Sequence, residues 1–102
     1  MSENKLSTHK NQCLHAIVEG WVQGVGFRAF TQRNALKHNL TGWVRNRWNG
    51  TVEVMAEGPR ADLEQFLKVL QRGPHSGTTQ NVKVEWSEAT GEYSSFHIRM
   101  SG

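Results

Sequence analysis

In this chain of 102 residues, the segment Gly20-Trp21-Val22-Gln23-Gly24-Val25-Gly26-Phe27-Arg28 holds the residues best suited to chemistry. Ahead of it Leu14, Ala16 and Val18 alternate with His15 and Glu19, which predicts a strand over 14–22 that runs into a glycine loop. A helix is expected from near Phe27 to near His38. Two glycines let the backbone turn tightly and let a ligand approach. The N–H groups of the loop and first helical turn lack intrahelical partners and lie at the positive end of the helix dipole. Such a loop can cradle a phosphate or a carboxylate. Arg28 adds a planar fork of donors that matches two phosphate oxygens, which a lysine does not reproduce. The same spacing admits a purely architectural reading, in which Gly24 and Gly26 shape a strand-to-helix turn and Arg28 lies on the surface.

Two other glycine-loop chemistries fail on the surrounding residues. Gly24-x-Gly26-x-x-Ala29 fits a variant of the dinucleotide fingerprint, but that site needs a parallel βαβ unit and an acid about 20 residues on. Trp43 to Gly50 contains no Asp or Glu, and no Lys-Ser/Thr pair follows the glycines to make a nucleotide P-loop. The second candidate is Asn46, expected at the end of a strand before a turn. Its amide donates and accepts, so it can hold a water molecule in a defined orientation, or it can simply open the turn with an Asx-type bond.

Absences narrow the chemistry further. The chain has one aspartate, Asp62, expected on the exposed first turn of a helix, so a pair of aspartates is impossible. Five histidines, His9, His15, His38, His75 and His97, show no i, i+4 spacing, and no metal site is expected. Cys13 has no cationic loop beside it to make it a nucleophile. A hydrolase built from these residues works by binding and charge stabilisation around a water molecule, which demands an activated substrate.

These residues must be positioned by a small set of elements. Thr41 to Asn46 reads as a strand, and Arg47-Trp48-Asn49-Gly50 as a tight hairpin in which Asn49 and Gly50 both take positive φ. The returning strand is Thr51 to Ala56, with Val52, Val54 and Ala56 on one face. Gly58-Pro59 opens a helix with Pro59 in its first turn. Leu63, Phe66, Leu67 and Leu70 fall at i, i+3, i+4 and i+7, and Gly73-Pro74 ends it. Val82, Val84 and Trp86 alternate as a fourth strand, and Phe96, Ile98 and Met100 as a short fifth. The order β-α-β-β-α-β plus one strand predicts an α+β, ferredoxin-like (split βαβ) sandwich, with two helices on one face of a mainly antiparallel sheet.

Composition agrees with one small domain. There are 12 Lys+Arg against 9 Asp+Glu, a formal charge of +3, and 36% hydrophobic residues. A chain of about 100 residues buries roughly 60 to 70% of its unfolded surface, enough for one core and not for a separate cofactor domain. The expected division is a flexible tail over 1–12 and a single domain over 13–102. One cysteine, no apolar run of signal-peptide length and no membrane-length apolar stretch predict a cytoplasmic protein without a cofactor or membrane partner, and a monomer is expected.

The chain resembles the acylphosphatases, which hydrolyse the mixed anhydride of acyl phosphates to a carboxylate and inorganic phosphate. The resemblance rests on Gly20-x-Val22-Gln23-Gly24-Val25-Gly26-Phe27-Arg28, Leu40-Thr41-Gly42-Trp43-Val44-Arg45-Asn46 and Asn49-Gly50-Thr51-Val52-Glu53-Val54. Gly73-Pro74 and Phe96-x-Ile98-Arg99 follow in order, so the match spans roughly residues 13–100. It implies that Arg28 and Asn46 are catalytic and that Gln23, Gly24, Val25, Gly26, Phe27 and Arg28 form the phosphate-binding loop. Asn46 would position the attacking water and the substrate phosphate itself would accept the proton. The expected ligands are a small acyl phosphate and inorganic phosphate.

The sequence departs from the family at three positions. Trp21 stands where many relatives have a basic residue, His38 where an apolar helix residue is usual, and Asn49 where an acid often sits. Trp21 is expected to alter affinity for the acyl group and His38 to loosen the first helix. Two other readings share the fold. An RRM-type RNA-binding module would use the basic, aromatic neighbourhood of Trp43, Arg45, Arg47 and Trp48, but its third strand, Thr51 to Ala56, lacks stacking aromatics, and no nucleic-acid partner is expected. A regulatory domain would bind an anion at the loop without turning it over.

Overall fold

The computed structural model describes residues 10–102, so residues 1–9 of the expected tail lie outside the described residues. The elements run β1 (Asn11–Trp21), α1 (Phe27–Lys37), β2 (Thr41–Asn46), β3 (Val52–Pro59), α2 (Arg60–Arg72), β4 (Thr78–Glu88) and β5 (Phe96–Ile98). The sheet order is β4-β1-β3-β2-β5, with β2 and β5 parallel and the other neighbours antiparallel. α1 packs over β2 and β5, and α2 over β1, β3 and β4. This is the ferredoxin-like α+β sandwich that the element order predicts.

The core lies between helices and sheet. Leu14, Ala16 and Val18 of β1, Val44 of β2, and Val52, Val54 and Ala56 of β3 are fully buried, each two residues from the next on its strand. That alternation puts one face of every central strand under the helices. α2 supplies Leu63, Phe66 and Leu70, all fully buried, while Leu67 packs at the margin. α1 buries Phe27, Thr31 and Ala35, and Leu36 is exposed on the far side.

Several boundaries differ from the sequence expectation, for identifiable reasons. β1 begins at Asn11, so Asn11 and Gln12 of the expected tail pair with Pro59 and Gly58 instead. β4 begins at Thr78, because the polar stretch Thr78–Asn81 is held by backbone pairing to Glu19, Gly20 and Trp21 and not by apolar alternation. β3 runs on to Pro59, which is the N-cap of α2 in an extended conformation and not part of its first turn. β5 stops at Ile98, and Met100 is 89% exposed beyond it.

The hairpin is also corrected. Gly50 has φ 91, but Asn49 is not among the residues with positive φ. The Gly50 N–H donates to the Arg47 carbonyl at 3.1 Å, and the Arg47 N–H to the Thr51 carbonyl at 2.9 Å. The loop is therefore Trp48-Asn49-Gly50, a three-residue hairpin with the glycine in the left-handed position. Asn49 contributes through its side chain, whose Oδ1 accepts from the Thr51 N–H and hydroxyl. His38 falls at the C-cap of α1, and its Nδ1 lies 3.4 Å from Asp62 Oδ1 in the first turn of α2. Its ring therefore faces the start of α2.

Candidate active site

The site forms where β1 hands the chain to α1 beside the end of β2. Gly24 and Gly26 have φ 75 and 78, and a Cβ at either position would meet no atom within 4 Å. Glycine is required there by backbone conformation and not by crowding. Gly26 is the N-cap of α1 and makes no side-chain cap bond, and the first helical hydrogen bond runs from the Phe30 N–H to the Gly26 carbonyl at 3.0 Å. The N–H groups ahead of Phe30 retain their capacity to donate to an anion.

Arg28, in the first turn of α1, lines the cavity that the loop encloses, together with Gly24, Gly26 and Phe27. Among the described residues it forms no ion pair. Its donors are therefore uncommitted to any carboxylate there, and it is the one charged side chain in a lining with a volume of about 240 Å³. Asn46, the last residue of β2, enters the same lining from the sheet. Val44, two residues earlier, is fully buried under the helices, so strand alternation directs Asn46 to that side. Asn46 Oδ1 is buried and has no hydrogen-bond partner among the described residues. A buried acceptor left unpaired costs about 1–3 kcal/mol, which a donor from the cavity would offset.

Not every residue of the expected loop faces this cavity. Gln23 donates from Nε2 to the Arg47 and Thr51 carbonyls at 2.7 and 2.8 Å. Val25 packs against the core margin, and its carbonyl accepts the Ser76 hydroxyl at 2.8 Å. The cavity gains Val22, Ala29 and Ile98, which sequence reasoning did not select. The missed signal for Ile98 is alternation with Phe96 combined with the parallel register Val44↔Ile98, which carries it to the sheet end beside Asn46.

A larger cavity of about 670 Å³ lies across the opposite face of the sheet and includes Glu57, Glu85 and Glu92, a lining that repels an anion. Cys13 sits there, its Sγ 3.3 Å from Met55 Sδ, and burial pushes its thiol above the ordinary value. A thiol so shifted, on the wrong face of the sheet, is unsuited to attack at the Arg28 cavity. Trp43 is also withdrawn: it is 6% exposed, with the guanidinium groups of Arg45 and Arg99 over its ring at 5.3 and 4.6 Å. Trp21 and Trp48 are exposed. Among the described residues there is no group of three or more His, Cys, Asp or Glu side chains arranged to hold a metal, and no helix long and apolar enough to cross a membrane.

Fold and cavity together define a ferredoxin-like α+β domain with a cavity at the start of its first helix, lined by one arginine, one asparagine and two loop glycines. Residues 14–98 match the family model described as acylphosphatase, and the chain belongs to the acylphosphatase family. The acylphosphatase of Moorella thermoacetica is 49% identical over 87 residues, covering 85% of this chain and 92% of that protein. The acylphosphatase of Bacillus licheniformis is 52% identical over 82 residues, covering 80% and 91%. The crystal structure of acylphosphatase from Bacillus subtilis superposes with a TM-score of 0.84 at 39% identity, covering 86% of this chain and 98% of that one. The protein is accordingly a hydrolase of acid anhydrides, acting on acyl phosphates to release a carboxylate and inorganic phosphate.

Proposed function

We propose that Arg28 and the backbone N–H groups from Gly24 to Arg28 bind the phosphoryl group, while Asn46 orients a water molecule for direct attack on phosphorus. The observation that carries this reading is the buried Oδ1 of Asn46, without a partner among the described residues, in the lining that also holds Arg28 and the uncapped helix start. The water oxygen bonds to phosphorus as the bond from phosphorus to the acyl oxygen breaks. The carboxylate leaves with that electron pair, and the proton passes to a phosphate oxygen. The lining contains no carboxylate, imidazole or thiolate to act as a base. None is needed, because an acyl phosphate has a good leaving group and phosphoryl transfer asks mainly for in-line positioning and charge stabilisation.

Hydrolysis of benzoyl phosphate in ¹⁸O-water tests the direction of attack. Attack on phosphorus places the label in inorganic phosphate; label in benzoate would overturn the reading. We further propose that the enzyme is a cytoplasmic monomer acting on small acyl phosphates without a metal, nucleic acid or membrane partner. The small-anion part of this reading is supported by the arginine, amide and backbone donor set of the cavity, and the lack of a nucleic-acid partner by the modest charge of +3 and the covered ring of Trp43.

A further inference from the structure

Gln23 belongs to the glycine loop by sequence, yet its side chain is directed at the β2–β3 hairpin. Nε2 carries two hydrogens, and two carbonyls accept from it, Arg47 at 2.7 Å and Thr51 at 2.8 Å. Each of these carbonyls already accepts one hairpin N–H, from Gly50 on Arg47 and from Arg47 on Thr51. A carbonyl oxygen has two acceptor sites, so Gln23 fills the second on both. Arg47 is bonded directly to Asn46, and Gln23 directly to Gly24. On its other edge the Asn46 carbonyl accepts the Gly102 N–H at 3.0 Å. One side chain thus joins the loop that carries the phosphate donors to the strand end that carries Asn46.

We infer that Gln23 is a positioning residue, which sets the distance between the phosphate cradle and the Asn46 amide without touching substrate. The inference rests on the roles proposed for Arg28 and Asn46. In-line attack tolerates little misplacement, and an error of about 1 Å reduces rate by about 10². Phosphate binding alone is less demanding, because Arg28 and the loop N–H groups lie on one continuous stretch of chain, Gly24 to Arg28.

Gln23→Met keeps the side-chain length and removes both donors. With benzoyl phosphate, kcat should fall by about 10- to 100-fold, while the inhibition constant of inorganic phosphate shifts by less than about threefold. In an Asn46→Ala background the same change should lower kcat by no more than about twofold, because the register it sets no longer matters. Gln23→Glu supplies a second variant. Its carboxylate repels the two carbonyls, whereas the protonated acid restores one donor, so its kcat relative to wild type should rise as pH falls. Unchanged kcat in Gln23→Met, equal losses of kcat and phosphate affinity, or an undiminished further loss in the Asn46→Ala background would each overturn the positioning role. If Gln23→Met does not fold, a flat pH ratio for Gln23→Glu overturns it. Wild-type turnover by Asn46→Ala would instead overturn the site reading on which the role depends.

Discussion

Arg28 and Asn46 reach one cavity from different elements, and each depends on what its atoms do not bond. Arg28 forms no ion pair among the described residues, and Asn46 Oδ1 lacks a partner there. The glycines and Arg28 are legible in sequence because a strand, a positive-φ turn and a helix start impose their own residue types at short range. The face of Asn46 follows from alternation with Val44, but its unpaired oxygen depends on neighbours that spacing does not reveal. Gln23 is less legible still, since its acceptors lie 24 and 28 residues away. Arg28→Lys tests whether charge or fork geometry matters. It retains the charge but not the planar pair of donors, so kcat/KM for benzoyl phosphate should fall by about 10² and inorganic phosphate should inhibit more weakly. Wild-type kcat/KM in this variant would show that a point charge suffices.

The elements hold these residues through contacts remote from the cavity. Phe66 of α2 is fully buried, and its ring meets Phe96 of β5 edge-on at a centroid distance of 6.2 Å. β5 pairs with β2 only from Gly42 to Val44, so this packing anchors the short strand that brings Ile98 to the site. Phe66→Ala should reduce the free energy of unfolding by about 3–5 kcal/mol in urea titrations. A loss below about 1 kcal/mol would contradict the place given to Phe66 in the core. The apolar period of α2 made that helix legible, as did the alternation of Val52, Val54 and Ala56. The polar starts of β1 and β4 were not legible, because Asn11 and Gln12 are held by pairing to Pro59 and Gly58 and Thr78–Asn81 by pairing to Glu19, Gly20 and Trp21, and neither stretch carries an apolar pattern. The Asn49-Gly50 pair announced a hairpin without specifying which residues take positive φ.

Across the whole molecule the two sheet faces differ, with the Arg28 and Asn46 cavity on the helix side and buried carboxylates on the other. Burial pushes Glu53 up, but hydrogen bonds from His15 Nε2 at 2.7 Å and Arg45 Nε at 2.8 Å, with their charges, hold its carboxyl below the ordinary 4.5. Burial acts likewise on Glu57, and donation from the N–H groups of Thr90 and Gly91 and the Thr90 hydroxyl holds it below 4.5 as well. Both carboxyls bind protons less readily folded than unfolded, so their stabilisation is present above their unfolded values and is lost as pH falls through the folded ones. The urea midpoint should therefore drop on acidification below about pH 4.5, and Glu53→Gln should lower it at neutral pH while flattening the acid slope. An acid slope unchanged in Glu53→Gln would remove Glu53 from that balance. The role of Asn46 in orienting the water is read out by benzoyl phosphate turnover in an Asn46→Ala variant whose melting temperature and circular dichroism match wild type. In that variant kcat should fall by about 10² to 10³ with phosphate inhibition retained. A kcat within about twofold of wild type would contradict that role.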